Sequence, residues 1–122
     1  VLNSETIPRL RAKVVAGAAN NQLASDDDGD RLTDRGILYA PDYVINAGGV
    51  ISVAHEYLGN STEERVRSEV CRIPERLRRI FADAERSARP TNVVADELAR
   101  RIVEQGGKTD HENQPTADRR IA

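Results

Sequence analysis

Two segments of this 122-residue chain run from a short apolar stretch into small residues and side-chain amides. The first is Lys13-Val14-Val15-Ala16-Gly17-Ala18-Ala19-Asn20-Asn21-Gln22; the second is Ala40-Pro41-Asp42-Tyr43-Val44-Ile45-Asn46-Ala47-Gly48-Gly49-Val50-Ile51. Each has the pattern of a strand feeding a helix. Adjacent glycines at such a junction let backbone pass within contact distance of a flat ligand, where a Cβ would collide. Twice in one chain, the pattern predicts an α/β fold with a ligand crevice at the carboxyl edge of a parallel sheet.

The remaining punctuation places the other elements. Asn3 to Thr6 can cap a short helical turn through Leu10, with Pro8 tolerated in its first turn. Residues 13–16 read as a buried strand, with Asn20 or Asn21 capping the helix that follows. Ser25-Asp26-Asp27-Asp28-Gly29-Asp30 is acidic, but with Gly29 as the sixth residue of a calcium loop the first and twelfth would be Ala24 and Arg35. Neither is a ligand, so a solvated turn is expected. A short helix over Arg31–Arg35 then ends at Gly36 and leads into the strand Ile37–Ala40. That strand is expected to continue past Pro41 to Asn46, and a helix buried on most of its surface to run from Gly48-Gly49 to near Gly59.

Ser61 and Glu64 form a candidate capping box for the longest helix. Its apolar stripe is Val66, Val70, Ile73, Leu77, Ile80 and Ala84, and Pro74 predicts a kink or a break within it. Arg89-Pro90 ends it. Thr91 is expected to cap a last helix using Val94, Leu98 and Ile102, closed by Gly106-Gly107. Residues 106–122 are expected to be a disordered tail, because 108–122 hold only Ile121 and two alanines as apolar groups.

Composition bounds the partners. With aromatics at 3% and no Trp or Met, the core must come from Val, Ile, Leu and Ala. A net charge of −2 leaves no basic footprint for nucleic acid or an anionic membrane. No run approaches the ~20 apolar residues of a membrane span. Cys71 is the single cysteine, so no internal disulfide forms, and a reducing, cytoplasmic setting is expected. It is read as packed or idle. No His, Cys, Asp or Glu grouping has metal-ligand spacing.

The blocks VLNSETIPRL, AGAANNQLA, RGILYAPDYVINAGGVISVAHE and PTNVVADELARRI, in this order, resemble the NAD-binding half of the glutamate/leucine/phenylalanine/valine dehydrogenase family. The likeness is to its branched-chain and aromatic members and spans about residues 1–105. It implies an incomplete domain: the C-terminal portion of a Rossmann-like NAD-binding domain, with two short strands and several helices over 1–105. The implied reaction is reversible oxidative deamination of an apolar L-amino acid such as Leu, Val or Phe, giving the 2-oxo acid and ammonia.

The resemblance also assigns residues. Gly17 and Ala18 would let the backbone approach the NAD cofactor, and Ala19 and Asn20 would meet the nicotinamide ribose. An amide both donates and accepts, which suits ribose hydroxyls. Gly48 would border the cofactor, and Asn46 would contact both it and the amino-acid substrate. The plainer reading of both segments is a strand-to-helix turn with an Asn cap. Val70 and Ile73 are first of all packing residues, but in similar enzymes this helix lines the side-chain pocket. Glutamate-specific members place a hydroxyl at the position of Ile73, and burying a glutamate side chain against two aliphatic groups would be heavily disfavoured. His55 stands where the family usually has an acidic residue, and no catalytic role is expected of it.

The resemblance leaves the reacting groups outside the sequence. The family's catalytic lysine and aspartate belong to an N-terminal substrate domain, and its Gly-x-Gly-x-x-Gly turn is absent here. Lys13 and Lys108, the only lysines, are not credible bases. The chain is therefore expected to be an inactive and marginally stable fragment of a homo-oligomeric enzyme, partnered by the missing N-terminal part. Two rivals stand: a non-catalytic nucleotide-binding module on the same scaffold, and a helical interaction protein using the Val66–Ala84 stripe.

Overall fold

A computed structural model describes residues 1–59 and 62–112, with side chains described up to residue 105. Strand β1 (Val14–Val15) and strand β2 (Leu38–Tyr39) pair in parallel, Val14 opposite Leu38 and Val15 opposite Tyr39. Helix α1 (Asp27–Asp34) connects them. Helices α2 (Asp42–Ile45), α3 (Gly48–Tyr57), α4 (Glu63–Val70), α5 (Ile73–Ser87) and α6 (Thr91–Glu112) follow. The two strands lie inside the predicted segments, but β1 is not the buried strand expected: Val14 is exposed and Val15 half-buried. The result is a helix-rich α/β fold with a two-stranded parallel sheet.

The first core cluster joins Leu2, Ile7, Leu32, Ile37 and Tyr39. Asn3 Oδ1 accepts from the N–H groups of Glu5 and Thr6, closing the turn that leads into a short 3-10 helix, Ile7–Arg9, which has no side-chain cap and delivers Ile7 to this core. The guanidinium of Arg35 donates to the carbonyls of Ile7 and Leu10 and ties that turn to the end of α1. A second cluster, Ile80, Ala84, Val94 and Ala95, is formed by α5 and α6. Val44 of α2 packs against it.

Several expectations are corrected. The acidic run is not a solvated turn but the opening of α1. Asp28 is buried; its Oδ2 accepts from the N–H and the hydroxyl of Ser25, both at 3.0 Å, and Oδ1 takes Arg31 at 2.8 Å. This is a capping arrangement with an aspartate three residues after the serine. Asn20 and Asn21 therefore cap no helix: Asn21 is left-handed, with φ 52°, and Leu23 forms a parallel bridge with Leu2. Beyond Pro41 the chain does not stay extended, because Asp42–Ile45 coil into α2 and make Asn46 its C-cap.

Helix α3 ends as expected at Gly59, whose φ is +66°, but Val50, Val53, Tyr57 and Leu58 are exposed rather than buried. Thr62, not Ser61, is the N-cap of α4, its hydroxyl accepting from Arg65 N–H; Ser61 lies outside the described residues. The Pro74 break is present. Helix α4 stops at Val70, and α5 restarts at Ile73 with Pro74 in its first turn, where a missing N–H costs nothing. Cys71, in the junction, is exposed rather than packed. Thr91 does not cap α6; its buried hydroxyl donates instead to the carbonyl of Tyr39 at 2.7 Å. Helix α6 continues through Gly106-Gly107 to Glu112. The rest of the predicted tail, 113–122, lies outside the described residues.

Two stability predictions follow from α1. A Cβ on Gly29 would come within 2.1 Å of Asn92 Oδ1 and 2.8 Å of its Cγ, and Asn92 is itself buried. A glycine-to-alanine change inside a helix is ordinarily favourable by about 1 kcal/mol. Here overpacking reverses the sign: Gly29→Ala is expected to destabilise by about 1–3 kcal/mol in urea unfolding, with Asn92→Ala partly restoring the double mutant.

Burial raises the Asp28 carboxyl, but hydrogen bonds from Ser25 and the Arg31 guanidinium outweigh it and hold the group below its ordinary value of 3.8. Its contribution is complete above pH 3.8 and is lost as pH falls through the lower folded-state value. Asp28→Asn is expected to flatten the fall in the urea midpoint between pH 4 and pH 2, relative to the unchanged chain.

Candidate functional site

The site forms where the loop after β1 meets the turn between α2 and α3. Asn46 Nδ2 donates to the carbonyl of Ala18 at 3.2 Å and to Asn20 Oδ1 at 3.2 Å. A carbonyl only accepts, so Ala18 fixes which end of the Asn46 amide is nitrogen. Asn46 Oδ1 and Asn20 Nδ2 carry no hydrogen bond among the described residues, leaving an acceptor on one residue and a donor on the other. Both residues are exposed, so the pair rests on these two contacts and not on burial.

Backbone geometry brings the pair together. Asn21 N–H donates to Asp42 Oδ2 at 2.8 Å, and Asn46 N–H to the Asp42 carbonyl at 2.9 Å. Tyr39 donates its hydroxyl to Asp42 Oδ1 at 2.8 Å, satisfying the other oxygen of a carboxylate that is 7% exposed. Burial, then the neighbouring carboxylate, pushes the Tyr39 hydroxyl well above the usual tyrosine range, so it remains a donor at any physiological pH. Behind Gly17, the side chain of buried Gln22 donates to the Gly17 carbonyl, and a Cβ on Gly17 would sit 3.3 Å from its Nε2.

Asn20 and Asn46 line an open groove of about 710 Å³ whose other walls are Tyr43, Gly49 and the exposed α3 side chains Val50, Val53 and Tyr57. The lining is largely apolar, with the two amides and two tyrosines as its polar side chains, as small-ligand sites commonly are. Nothing lies within 4 Å of a Cβ built on Gly49, and a Cβ on Gly48 would meet Val70 Cγ2 at an ordinary 3.8 Å. Neither glycine is therefore required by a neighbour within the chain. The groove's titratable side chains are Tyr43 and Tyr57; Tyr43 donates to Asp96 Oδ1 at 2.6 Å.

The predicted residues divide accordingly. Ala18, Asn20 and Asn46 converge; Gly17 and Ala19 flank them; Gly48 opens α3 beside Val70. Val70, half-buried, lines a second groove of about 520 Å³ between α3 and α4, with Ser52, Glu56 and Arg67 also on its walls. Ile73 lines neither groove; it is buried at the start of α5. Asp42 and Tyr39 were not singled out from sequence, although a Tyr-x-x-Asp spacing across a proline is visible once α2 is known to start there. Among the described residues, no three His, Cys, Asp or Glu side chains could hold a metal ion, and no helix is long and apolar enough to cross a membrane.

The pattern of the Glutamate/Leucine/Phenylalanine/Valine dehydrogenase family matches residues 1–104. The chain belongs to that family. Similar members include a leucine dehydrogenase from Thermoactinomyces intermedius, 48% identical over 89% of this chain and 30% of that protein. A valine dehydrogenase from Streptomyces albus is 51% identical over 80% of this chain and 27% of that protein. A phenylalanine dehydrogenase from Bacillus thermotolerans is 40% identical over 91% and 29%. Among solved structures, the crystal structure of L-tryptophan dehydrogenase from Nostoc punctiforme superposes with a TM-score of 0.79 at 44% identity, over 86% of this chain and 31% of that chain. The chain thus spans under a third of the length of these family members.

The two glycines yield a prediction in which stability and binding part company. Gly49→Ala is expected to stabilise α3 by up to about 1 kcal/mol, since nothing in the chain opposes the methyl group. In the complete enzyme the same change is expected to weaken ligand binding in the groove. A thermal melt and a nucleotide titration on one variant check both; unchanged affinity would show that the groove beside Gly49 is not in use.

Proposed function

We propose that this chain is the nicotinamide-side part of an NAD-dependent amino-acid dehydrogenase that reversibly deaminates an apolar L-amino acid to its 2-oxo acid and ammonia. The observation that carries the proposal is the Asn20–Asn46 amide pair lining a largely apolar groove, in a chain of this family. A nicotinamide ribose offers hydroxyls that both donate and accept, and the pair leaves one acceptor and one donor for it. The flat ring suits a wall of Gly49 and Val50, where no side chain crowds the backbone. The residues present therefore fit the cofactor, with Gly17, Ala18, Ala19, Asn20, Asn46 and Gly48 as its contacts. When bound, NAD supplies the hydride acceptor for the substrate's Cα.

The chain's own residues bind and orient. Asn46, its Nδ2 taken by the Ala18 carbonyl and Asn20 Oδ1, would use its free Oδ1 to accept from the substrate's amino group beside the ring, while Asn20 engages the ribose. The groove is lined by no His, Lys, Asp or Glu, so in this proposal proton transfer falls to groups outside it. A lysine and an aspartate of a preceding substrate domain fill that role in this proposal. Val70 and Ile73 form the proposed wall for the substrate side chain. Because Ile73 is buried behind the surface in this structure, its influence would be exerted through the packing of α5. Neither offers a partner for a glutamate carboxylate, which favours leucine, valine or phenylalanine. A homo-oligomeric, cytoplasmic enzyme completes the reading.

The test uses the complete enzyme carrying this sequence, assayed with NAD and leucine, valine, phenylalanine and glutamate. The apolar substrates are expected to turn over with NAD, with glutamate left essentially unused. Asn46→Ala is expected to lower kcat/KM by about a hundredfold, the scale of a misplaced substrate. A preference for glutamate would contradict the substrate assignment, and unchanged kinetics in Asn46→Ala would contradict the site.

A further inference from the structure

Asp42 is a buried carboxylate for which the proposed chemistry has no use. It opens α2 and does not itself line the groove, yet it touches both halves of the amide pair through the backbone. Its Oδ2 accepts the N–H of Asn21, the residue after Asn20, at 2.8 Å. Its carbonyl accepts the N–H of Asn46 itself at 2.9 Å. Its Oδ1 takes the Tyr39 hydroxyl at 2.8 Å, which anchors the carboxylate to β2 and the first core. One residue therefore spans the gap between the β1 loop and the α2–α3 turn.

The loop needs such an anchor. Asn21 sits at φ 52°, a left-handed conformation that asparagine tolerates but does not strongly prefer. Among the described residues the exposed Asn20 side chain is held only by Asn46 Nδ2 at 3.2 Å, too little to fix an exposed loop unaided. The part-buried, charge-assisted bond from Asn21 N–H to Asp42 is shorter, and it sets the peptide from which the Asn20 side chain departs.

We propose that Asp42 is a positioning residue for the candidate nucleotide site, its carboxylate holding the Asn20–Asn21 peptide so that Asn20 meets Asn46 across the groove. The proposal rests on the reading of that groove as the nicotinamide site. It separates the two functions of the carboxylate: accepting from Asn21, which sets the site, and accepting from Tyr39, which fixes the carboxylate. An asparagine preserves both contacts. Its Oδ1 can accept from Asn21, and its amide can donate to the Tyr39 oxygen, because a hydroxyl also accepts. A glutamate keeps the charge but adds a methylene and displaces the oxygens.

The experiment is an NADH fluorescence titration of the complete enzyme, with kcat and KM measured on the same variants and a thermal melt for each. Asp42→Ala is expected to raise the NADH Kd and the KM for NAD about tenfold, the loss expected of one charge-assisted hydrogen bond. Asp42→Asn is expected to restore affinity to within about twofold of the unchanged enzyme, and Asp42→Glu to leave it impaired, by the same hydrogen-bond reasoning. Should Asp42→Ala fail to fold, the contrast between Asn and Glu carries the test alone. Equal affinities for Asp42→Asn and Asp42→Glu would overturn the proposal, as would an Asp42→Ala enzyme that melts lower but binds NADH unchanged. Asn46→Ala serves as the reference. If it too binds NADH normally, the groove assignment itself fails; if it binds weakly while Asp42→Ala binds normally, only the positioning role fails.

Discussion

Tyr39 is the joint on which the two parts of this molecule depend. Its backbone belongs to the β1–β2 pairing, opposite Val15, and its side chain, 2% exposed, fills the first core beside Leu32 and Ile37. Its carbonyl accepts the buried Thr91 hydroxyl at the first turn of α6, and its own hydroxyl reaches Asp42 at the first turn of α2. Strand, loop and both flanking helices are thus tied to one residue. Each of those polar contacts is buried, so losing a partner would leave an unsatisfied group where water cannot compensate it.

This joint explains why the candidate site lies where it does. Parallel strands direct their carboxyl ends to the same edge, and the loops that leave that edge are neighbours without being close in sequence. Asn20 and Asn46 are 26 residues apart and meet at the edge that the β1–β2 register defines. The family match and the groove chemistry then converge on a nucleotide and an apolar amino acid as the proposed ligands. Two glycines differ in what surrounds them: Gly29, in α1 away from the groove, is required by a neighbour in the chain, whereas Gly49 has none within 4 Å and leaves its surface open to the proposed ligand.

Much of this was legible in the sequence, and the failures have physical causes. Valine pairs, Gly36, Gly59 and Pro74 act locally, so the strand positions, two left-handed turns and the α4–α5 break follow from the residues themselves. Tyr43-Val44-Ile45 is apolar and too short to show a period, so strand and helix could not be separated there. The acidic run from Asp26 to Asp30 has the composition of a loop, and the local bonds of Asp28 to Ser25 and Arg31, each three residues away, are what make it a helix start. Thr91 looked like a cap because threonine usually is one, but its hydroxyl is used across the fold. The α3 side chains looked like core because they are apolar on several faces; in this structure Val50, Val53 and Tyr57 border the groove in the open.

The most direct measurement is a crystal structure of the complete enzyme carrying this chain, with NAD bound. The account predicts the nicotinamide ribose within hydrogen-bond distance of the Asn20 and Asn46 side chains, with the ring against Gly49 and Val50. A nicotinamide seated elsewhere, for instance in the groove between α3 and α4 beside Glu56 and Arg67, would contradict it.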